Sequence, residues 1–335
     1  MSSSKLSIST APFLKEKETT PNIMLFVVYT LLPVLGVSFY YFGLSAVMIT
    51  LTAVFSCMLT EWMFNKSGDK LKSLKDGSGL LTGILLALTL PPGFPLWMVF
   101  VGGVAAIGLG KAMWGGLGQN VFNPALLGRA FLQSAFPTAI TTWSDPNGGY
   151  FSFRGTNLAL PLFQGEPVDA VSGATPLAQM KFEKVSTDWI ELLIGNVGGS
   201  LGETCGAILI LMGLFLLLKG IIKWRIPLAI ILTVSIFSGI FYLIDPEIYP
   251  SPIFMLLSGG MLLGTIYMAT DPVTTPLTSK GGWIFGIGVG ILIVLIRIWG
   301  GLPEGVMYAI LLMNAGTPLI NRFAKTRVYG HKTTK

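Results

Sequence analysis

The sequence has few charged residues. Asp, Glu, Lys and Arg make up 11% of its 335 residues, whereas hydrophobic residues make up 52%. Soluble domains carry about 25% charged residues. The shortage of charge therefore excludes an ordinary soluble globular protein and indicates that much of the surface faces lipid.

Histidine and cysteine are almost absent. The one histidine, His331, is close to the C-terminus, and the two cysteines, Cys57 and Cys205, lie in separate apolar segments. A haem held by two histidines within the bilayer is excluded, and two unpaired thiols are a poor basis for a disulfide framework or a complete iron–sulfur site. We predict no metal site and no catalytic residue, so any electron transfer requires an organic cofactor or a centre in a partner.

Long hydrophobic runs dominate instead, as in IPLAIILTVSIFSGIFYLI at 226–244. A membrane-spanning helix needs about 20 mostly apolar residues, and the polar first 20 residues lack the apolar core of a cleavable signal peptide. We predict an all-α polytopic membrane protein with ten transmembrane helices. The predicted segments are 22–43, 44–64, 79–92, 95–113, 124–140, 199–218, 226–244, 252–269, 283–300 and 304–320.

Basic residues are distributed unevenly between the connecting segments. Seventeen of the 22 lysines and arginines lie in the two tails and in alternate loops, which by the positive-inside rule predicts cytoplasmic termini. The net charge of +6 expresses this asymmetry, so nucleic acid is not an expected partner. The predicted divisions are a tail (1–21), a first five-helix unit (22–140), an extracytoplasmic loop (141–198), a second five-helix unit (199–320) and a C-terminal tail (321–335).

The two halves share sequence patterns. GLLTGILLALTLP (79–91) and GMLLGTIYMATDP (260–272) have the form G-x3-G-x5-T-x-P, and WGGL recurs at 114–117 and 299–302. Five helices in each half place the second half upside down, so we predict two inverted repeats. The third and eighth helices are short and end at Thr-x-Pro, and we expect them to frame a central site. The simpler alternative is that their glycines only allow close packing.

Two asparagines stand out in GLGQNVFNPALLGRAF (116–131). Asn123 before Pro124 is typical of a helix N-cap followed by proline at the first helical position, but this role leaves Asn120 unexplained. A carboxamide offers donors and an acceptor, which suits the edge of a flavin or quinone ring. Asn120 and Asn123 are therefore candidate cofactor-binding residues.

Charged groups at membrane depth are costly unless paired. Arg129, one turn into the fifth helix, is expected to meet Asp271 or a phosphate. Asp271 is the only acid in its loop, where it either caps the turn before Pro272 or couples a cation. Glu61 and Glu203, near helix ends where water could reach them, are weaker candidates for ion coupling.

The outer loop contains DAVSGATPLAQMK (169–181). Thr175 before Pro176 predicts a second N-cap, and Gly173 suits the tight turn before it. From the residues alone, a capped surface helix is the favoured interpretation. A helix N-terminus also binds phosphate readily, so a phosphate on the Thr175 hydroxyl is the alternative, and it requires an external transferase because no histidine or cysteine is nearby.

Six stretches between residues 79 and 320 resemble the NqrB/RnfD family of membrane subunits. The chain looks more like the branch in Rnf ferredoxin–NAD oxidoreductase complexes than the branch in the sodium-pumping NADH–quinone reductase. The matching stretches are GLLTGILLALTLPP, GLGQNVFNPALLGRAF, DAVSGATPLA, GGSLGET, MATDPVTTP and PEGVMYAILLMNAGTPLI.

The resemblance implies a covalent FMN. Thr175 is the last residue of the family's S-G-A-T pattern, and the family carries FMN on this threonine through a phosphoester bond. Asp169, Ser172, Gly173 and Ala174 complete the pattern read by the flavin transferase. That transferase works outside the cytoplasm, the side on which the basic residues independently place Thr175.

The resemblance also implies a noncovalent riboflavin, for which Asn120 and Asn123 are the candidate ligands. The expected function is an electron-transfer subunit of a translocase, in which electron flow between ferredoxin and NAD moves Na⁺ or H⁺ across a bacterial or archaeal cell membrane. The implied partners are other complex subunits, including a second FMN-carrying subunit and membrane iron–sulfur subunits, besides the transferase and the lipid bilayer.

Two other functions remain open on the sequence alone. Inverted five-helix repeats also occur in solute channels with an architecture like that of urea channels. A structural anchor for peripheral redox subunits is the third alternative. The threonine motif in the outer loop argues against a plain channel, and polar groups near broken helices argue against an anchor alone.

Overall fold

The computed structural model describes residues 19–65, 74–144, 146, 149–161, 174–204 and 206–325. These residues form helices, turns and loops without a β-strand, which confirms the predicted all-α class. Five residues singled out by the sequence lie outside the described ranges: Asp169, Ser172, Gly173, Cys205 and His331.

The first five predicted segments all contain helix. The helices are α1 (Thr20–Phe42), α2 (Leu44–Phe64), α3 (Ser78–Leu88), α4 (Leu96–Gly110), α5 (Pro124–Ala135) and α6 (Pro137–Ile140). α1 and α2 join at Gly43, whose φ of 58° is in the left-handed region that favours glycine. A Cβ at this position would also meet the backbone of Tyr150, so the loop that follows α6 packs directly on the α1–α2 corner.

The loop 141–198 contributes two short helical pieces. The first is α7 (Pro176–Ala178), which continues as a π-helical turn over Gln179–Glu183, and the second is α8 (Trp189–Ile194). Leu177, Met180 and Leu192 pack with Phe254 in a small apolar cluster separate from the main core. This cluster seats the segment after Thr175 on the second half of the molecule.

The second half contains five further helical segments. They are α9 (Gly206–Leu218), α10 (Arg225–Ile244), a broken segment made of α11 (Pro252–Leu257) and α12 (Met261–Leu263), then α13 (Ser279–Trp299) and α14 (Val306–Phe323). α12 continues as a π-helical turn over Gly264–Met268. The prominent packing of α10 on α13 matches that of α2 on α4 in the first half.

Five helices among the described residues are long and apolar enough to cross a membrane, by length and composition. They are Thr20–Phe42, Leu44–Phe64, Leu96–Trp114, Arg225–Ile244 and Ser279–Trp299. The chain is thus a helical protein with several spans, whereas the count of ten and the inversion of the halves stay predictions. α3 and α9 are apolar but shorter.

The repeated glycines lie at close contacts. A Cβ on Gly83 would come within 2.6 Å of Val54 Cα, and one on Gly264 would meet the Val306 side chain. The close-packing interpretation is therefore confirmed for these two positions. Gly79 and Gly260 instead leave room for the carboxylates of Glu61 and Glu304.

The short third and broken eighth segments lie in the interior, as predicted. Leu88 at the end of α3 is fully buried and accepts a hydrogen bond of 2.7 Å from the Gly202 amide. Met268, at the end of the π-helical turn, is 2% exposed. Residues of both segments, including Thr82 and Tyr267, line a common cavity, so irregular backbone here is enclosed by protein.

Candidate functional site

Thr175 is the N-cap of α7, which confirms the sequence prediction. Its Oγ1 accepts a hydrogen bond of 3.2 Å from the Ala178 amide, and Pro176 occupies the first helical position. The residue is 6% exposed. Its side chain therefore faces the protein rather than open solvent.

A cavity of about 350 Å³ lies beside this threonine, and we call it the Thr175 cavity. Three aromatic residues, Trp143, Phe182 and Tyr308, contribute to its wall. Its polar lining includes Arg129 and Glu304. Ligand pockets typically measure about 300–1,000 Å³ and combine apolar walls with a few fixed polar groups, so this cavity can hold a planar cofactor.

Arg129 is paired with Glu304, not with Asp271. Arg129 Nη2 lies 3.1 Å from Glu304 Oε2, and both side chains are largely buried. The other carboxylate oxygen, Oε1, accepts a hydrogen bond of 2.6 Å from the Gly260 amide. Glu304 was not among the predicted site residues, although it follows the repeated WGGL at 299–302 by two positions.

The gap between α11 and α12 is held by charged side chains. Arg297 of α13 donates to the carbonyls of Met255 at 2.6 Å and Ser258 at 3.0 Å, two acceptors near the break. Glu304 accepts from the Gly260 amide after it. A broken helix leaves free backbone groups, and these two residues bind two carbonyls before the gap and one amide after it.

A second cavity, the Asn120 cavity, lies between α1, α3, α5 and the π-helical turn. It measures about 90 Å³ and its lining includes Asn120, Asn123, Lys111 and Asp271. Asn120 Nδ2 donates to the Phe122 carbonyl at 3.3 Å, while its buried Oδ1 has no hydrogen-bond partner among the described residues. A buried acceptor without a partner is a candidate ligand contact.

Asn123 has two structural roles. Its Oδ1 caps α5 by accepting from the amides of Ala125 and Leu126, as predicted, and its Nδ2 donates to the Met268 carbonyl at 3.3 Å. The second bond ties the start of α5 to the end of the eighth segment. Asn123 thus shapes the wall of the Asn120 cavity, with its hydrogen-bonding groups already engaged.

Asp271 caps the turn that follows the π-helical segment. Capping a turn was one of its two predicted roles, and cation coupling was the other. Its carboxylate accepts from the Val273 amide at 3.1 Å and the Thr274 hydroxyl at 3.3 Å. Burial raises the pKa of Asp271 above the usual value for an aspartate, while those two hydrogen bonds act to lower it. The side chain can therefore hold a proton closer to neutral pH than a solvated aspartate does.

Glu61 and Glu203 are not solvated, contrary to the sequence expectation. Glu61 is 5% exposed and its Oε1 lies 2.5 Å from Lys111 Nζ, which also donates to the Ser78 hydroxyl. Glu203 is 9% exposed and accepts from the Ser200 hydroxyl at 2.8 Å. The sequence places both residues near helix ends, where contact with water was expected. Segments distant in the sequence pack over these helix ends and exclude that water.

These observations define a class: a multi-pass helical membrane protein with a broken helix and polar cavities built from both halves. Within that class, the chain belongs to the NQR2, RnfD, RnfE family, whose model matches residues 7–330. This confirms the resemblance that the sequence motifs carried.

Three relatives, each a subunit of a larger complex, show how far the similarity extends. The chain is 42% identical to a subunit of the ion-translocating oxidoreductase complex of Stutzerimonas stutzeri, over 94% of this chain and 93% of the relative. It is 40% identical to one of the Na⁺-translocating ferredoxin:NAD⁺ oxidoreductase complex of Acetobacterium woodii, over 98% and 97%. It is 38% identical to one of the proton-translocating ferredoxin:NAD⁺ oxidoreductase complex of Clostridium ljungdahlii, over 97% and 96%.

Proposed function

We propose that the chain is a flavin-carrying electron-transfer subunit of an Rnf-type complex, which couples electron flow between ferredoxin and NAD to Na⁺ or H⁺ translocation. The relatives named as members of such complexes, matched over nearly the whole chain, support this function over a solute channel or a passive anchor. One relative is named for Na⁺ and the other for protons at almost equal identity. The proposal therefore leaves the ion open.

The observation that carries the proposal is the Thr175 cavity. A threonine hydroxyl at the edge of a cavity of about 350 Å³ with three aromatic wall residues fits an FMN joined through its phosphate. FMN bound there would supply reversible electron transfer. The chain's own contribution is to seat the ring against Trp143, Phe182 or Tyr308 and to place the Arg129 guanidinium beside it. Asp169, Ser172, Gly173 and Ala174 would be read by the transferase during maturation.

For the noncovalent riboflavin we propose the Asn120 cavity. The partnerless Asn120 Oδ1 offers an acceptor for the edge of a polar ring, while the Lys111 ammonium at the same wall already donates to Glu61 and Ser78. The cavity of about 90 Å³ is smaller than a typical ligand pocket. Apolar wall side chains such as Leu81 and Ile266 have to move to admit the ring.

We further propose that the halves are inverted repeats of five transmembrane helices each, with both termini cytoplasmic and Thr175 outside. Two similar charge placements support the inversion. Lys111, at the end of α4, donates to Ser78 at the start of α3. Arg297, near the end of α13, donates to the backbone carbonyl of Ser258 at the break before α12. These pairs lie near the sequence positions that the two repeated patterns align, as expected if the halves are repeats.

The attachment is tested on the purified wild-type chain co-expressed with its flavin transferase. We expect flavin fluorescence to stay with the protein band on a denaturing gel. Trypsin should release the peptide 155–181 with the added mass of one FMN minus one water, and fragmentation should place that mass on Thr175. Absence of fluorescence and of the mass shift would refute covalent attachment.

For ion coupling we propose Asp271, with Glu203 as the second candidate. Asp271→Asn is expected to remove most of the ion uptake by inverted vesicles while ferredoxin-driven NAD reduction persists, because the variant keeps the turn but not the titratable carboxylate. Uptake is measured with a radioactive cation or a pH-sensitive dye. Glu247→Gln, at an exposed loop carboxylate, is the matched control, and unchanged uptake in Asp271→Asn would exclude this residue.

A further inference from the structure

Basic residues are scarce on the face of the molecule that carries Thr175. The loop 141–198 contains only Arg154, Lys181 and Lys184. Arg154 is 7% exposed and donates to the Tyr41 and Pro146 carbonyls inside the fold. The Arg154 guanidinium therefore points into the fold. Lys181 and Lys184 are the remaining basic residues of the loop.

Both of those lysines line one cavity, which we call the Lys181 cavity. It measures about 180 Å³, and Arg297 of α13 also contributes to its wall. Glu203 and Glu304 attract Arg297 electrostatically, but no carboxylate is among the described residues that line the cavity. Two lysines of the loop and an arginine of α13 thus converge on one cavity.

The three cations hydrogen-bond only to neutral groups among the described residues. Lys181 Nζ donates to the carbonyls of Gly300 and Leu302, the latter at 2.9 Å, and Lys184 Nζ lies 3.4 Å from the Ile248 carbonyl. Arg297 is 4% exposed, donates to two carbonyls, and its buried Nε has no hydrogen-bond partner among the described residues. A cavity wall with an excess of positive charge favours an anionic occupant.

The rest of the wall is apolar and lies at the ends of two spanning helices. α10 ends at Ile244 and α13 at Trp299, and Trp299 and Tyr249 line the cavity together with Phe254. Trp299 is 57% exposed. Tryptophan and tyrosine at helix ends are typical of the lipid headgroup level, so the cavity opens where headgroup phosphates lie.

We propose that the Lys181 cavity binds the phosphate of an anionic phospholipid. Lys181 and Lys184 contact the phosphate, and the lipid chains run along the exposed apolar faces of α10 and α13. The apolar rim favours a lipid over free inorganic phosphate, which shares the same anionic group but gains nothing from Trp299 or Phe254.

The bound lipid would act on the segment that carries Thr175. Lys181 belongs to the π-helical turn that continues α7, and Leu177 of α7 lines the same cavity. Holding these residues fixes the helical turn whose N-cap is Thr175. This inference does not depend on the presence of flavin, because it rests on the cations and the apolar rim alone.

Native mass spectrometry of the full-length chain, purified in detergent and titrated with lipid, tests the proposal. We expect phosphatidylglycerol to bind about tenfold more tightly than phosphatidylcholine, a difference of roughly 1.4 kcal/mol. The double variant Lys181→Gln/Lys184→Gln should lose that preference, and the charge-preserving Lys181→Arg/Lys184→Arg should keep it. The matched control, Lys219→Gln/Lys223→Gln, removes two exposed lysines elsewhere and should bind like the wild type.

Three results would overturn the proposal. Equal binding of the two lipids by the wild type would show that the cavity does not select an anion. Full displacement of phosphatidylglycerol by millimolar inorganic phosphate would identify free phosphate as the ligand. The third result is that the isolated protein binds the lipid but the assembled complex does not. An acidic segment of a neighbouring subunit would then be the occupant of the cavity.

Discussion

Replacing Thr175 by alanine is expected to remove the covalent flavin completely and to reduce ferredoxin-dependent NAD reduction by membrane vesicles to background. The hydroxyl is the only group at this position that can form the phosphoester. Loss of the N-cap bond itself costs only about 0.5–2 kcal/mol, so the variant should still insert and assemble. In-gel fluorescence and the rate of NAD reduction are the measurements.

Thr175→Asn separates attachment from structure. Asparagine is a good N-cap residue, so it keeps the acceptor for the Ala178 amide but offers no hydroxyl. This variant should be as deficient in flavin as Thr175→Ala, whereas Thr187→Ala in the same loop should remain fluorescent. Fluorescence retained by either Thr175 variant would place the flavin elsewhere.

Replacing Lys111 by methionine is expected to destabilise the fold more than the substitutions at Thr175 do. Lys111 Nζ and Glu61 Oε1 are 2.5 Å apart, with side-chain exposures of 7% and 4%. Lys111→Met leaves the Glu61 carboxylate buried without its cation, and breaking such a pair from one side costs about 3–5 kcal/mol. The free energy of unfolding, measured by titration with a denaturing detergent, should fall by that amount.

The double variant Glu61→Gln/Lys111→Met tests the reason for that loss. Because the remaining partner is then neutral, most of the stability should return, even though the ion pair is absent. A double variant as unstable as Lys111→Met would show that packing around Lys111, rather than an uncompensated charge, accounts for the effect. Lys223→Met, at an exposed position, should match the wild type.

Local features of the fold could be predicted because they depend on neighbouring residues. Thr175–Pro176 and Asn123–Pro124 both start helices with a side-chain cap, since an N-cap oxygen and the amide that donates to it lie within three residues of each other. The irregular third and eighth segments could also be placed in the interior, because proline and glycine interrupt apolar runs that water cannot reach.

The partners of buried charges could not be predicted in this way. Arg129 was expected to meet Asp271 or a phosphate, yet its partner is Glu304, 175 positions along the chain. Glu61 was expected near water, yet it pairs with Lys111, 50 positions away. Each pair depends on which helix faces are in contact, and periodicity within one helix does not contain that information.

The sequence alone determined the helical membrane class, the family, the capped threonine and the polar segments around which the sites form. Those properties follow from composition, from residues a few positions apart and from motifs. Only the tertiary structure decided that Thr175 faces a cavity with aromatic walls, that Arg297 and Glu304 hold a broken helix, and that Lys181 and Lys184 converge on one cavity. Cavities and ion pairs form where distant segments pack, because the energy of a buried charge depends on every group that replaces its water.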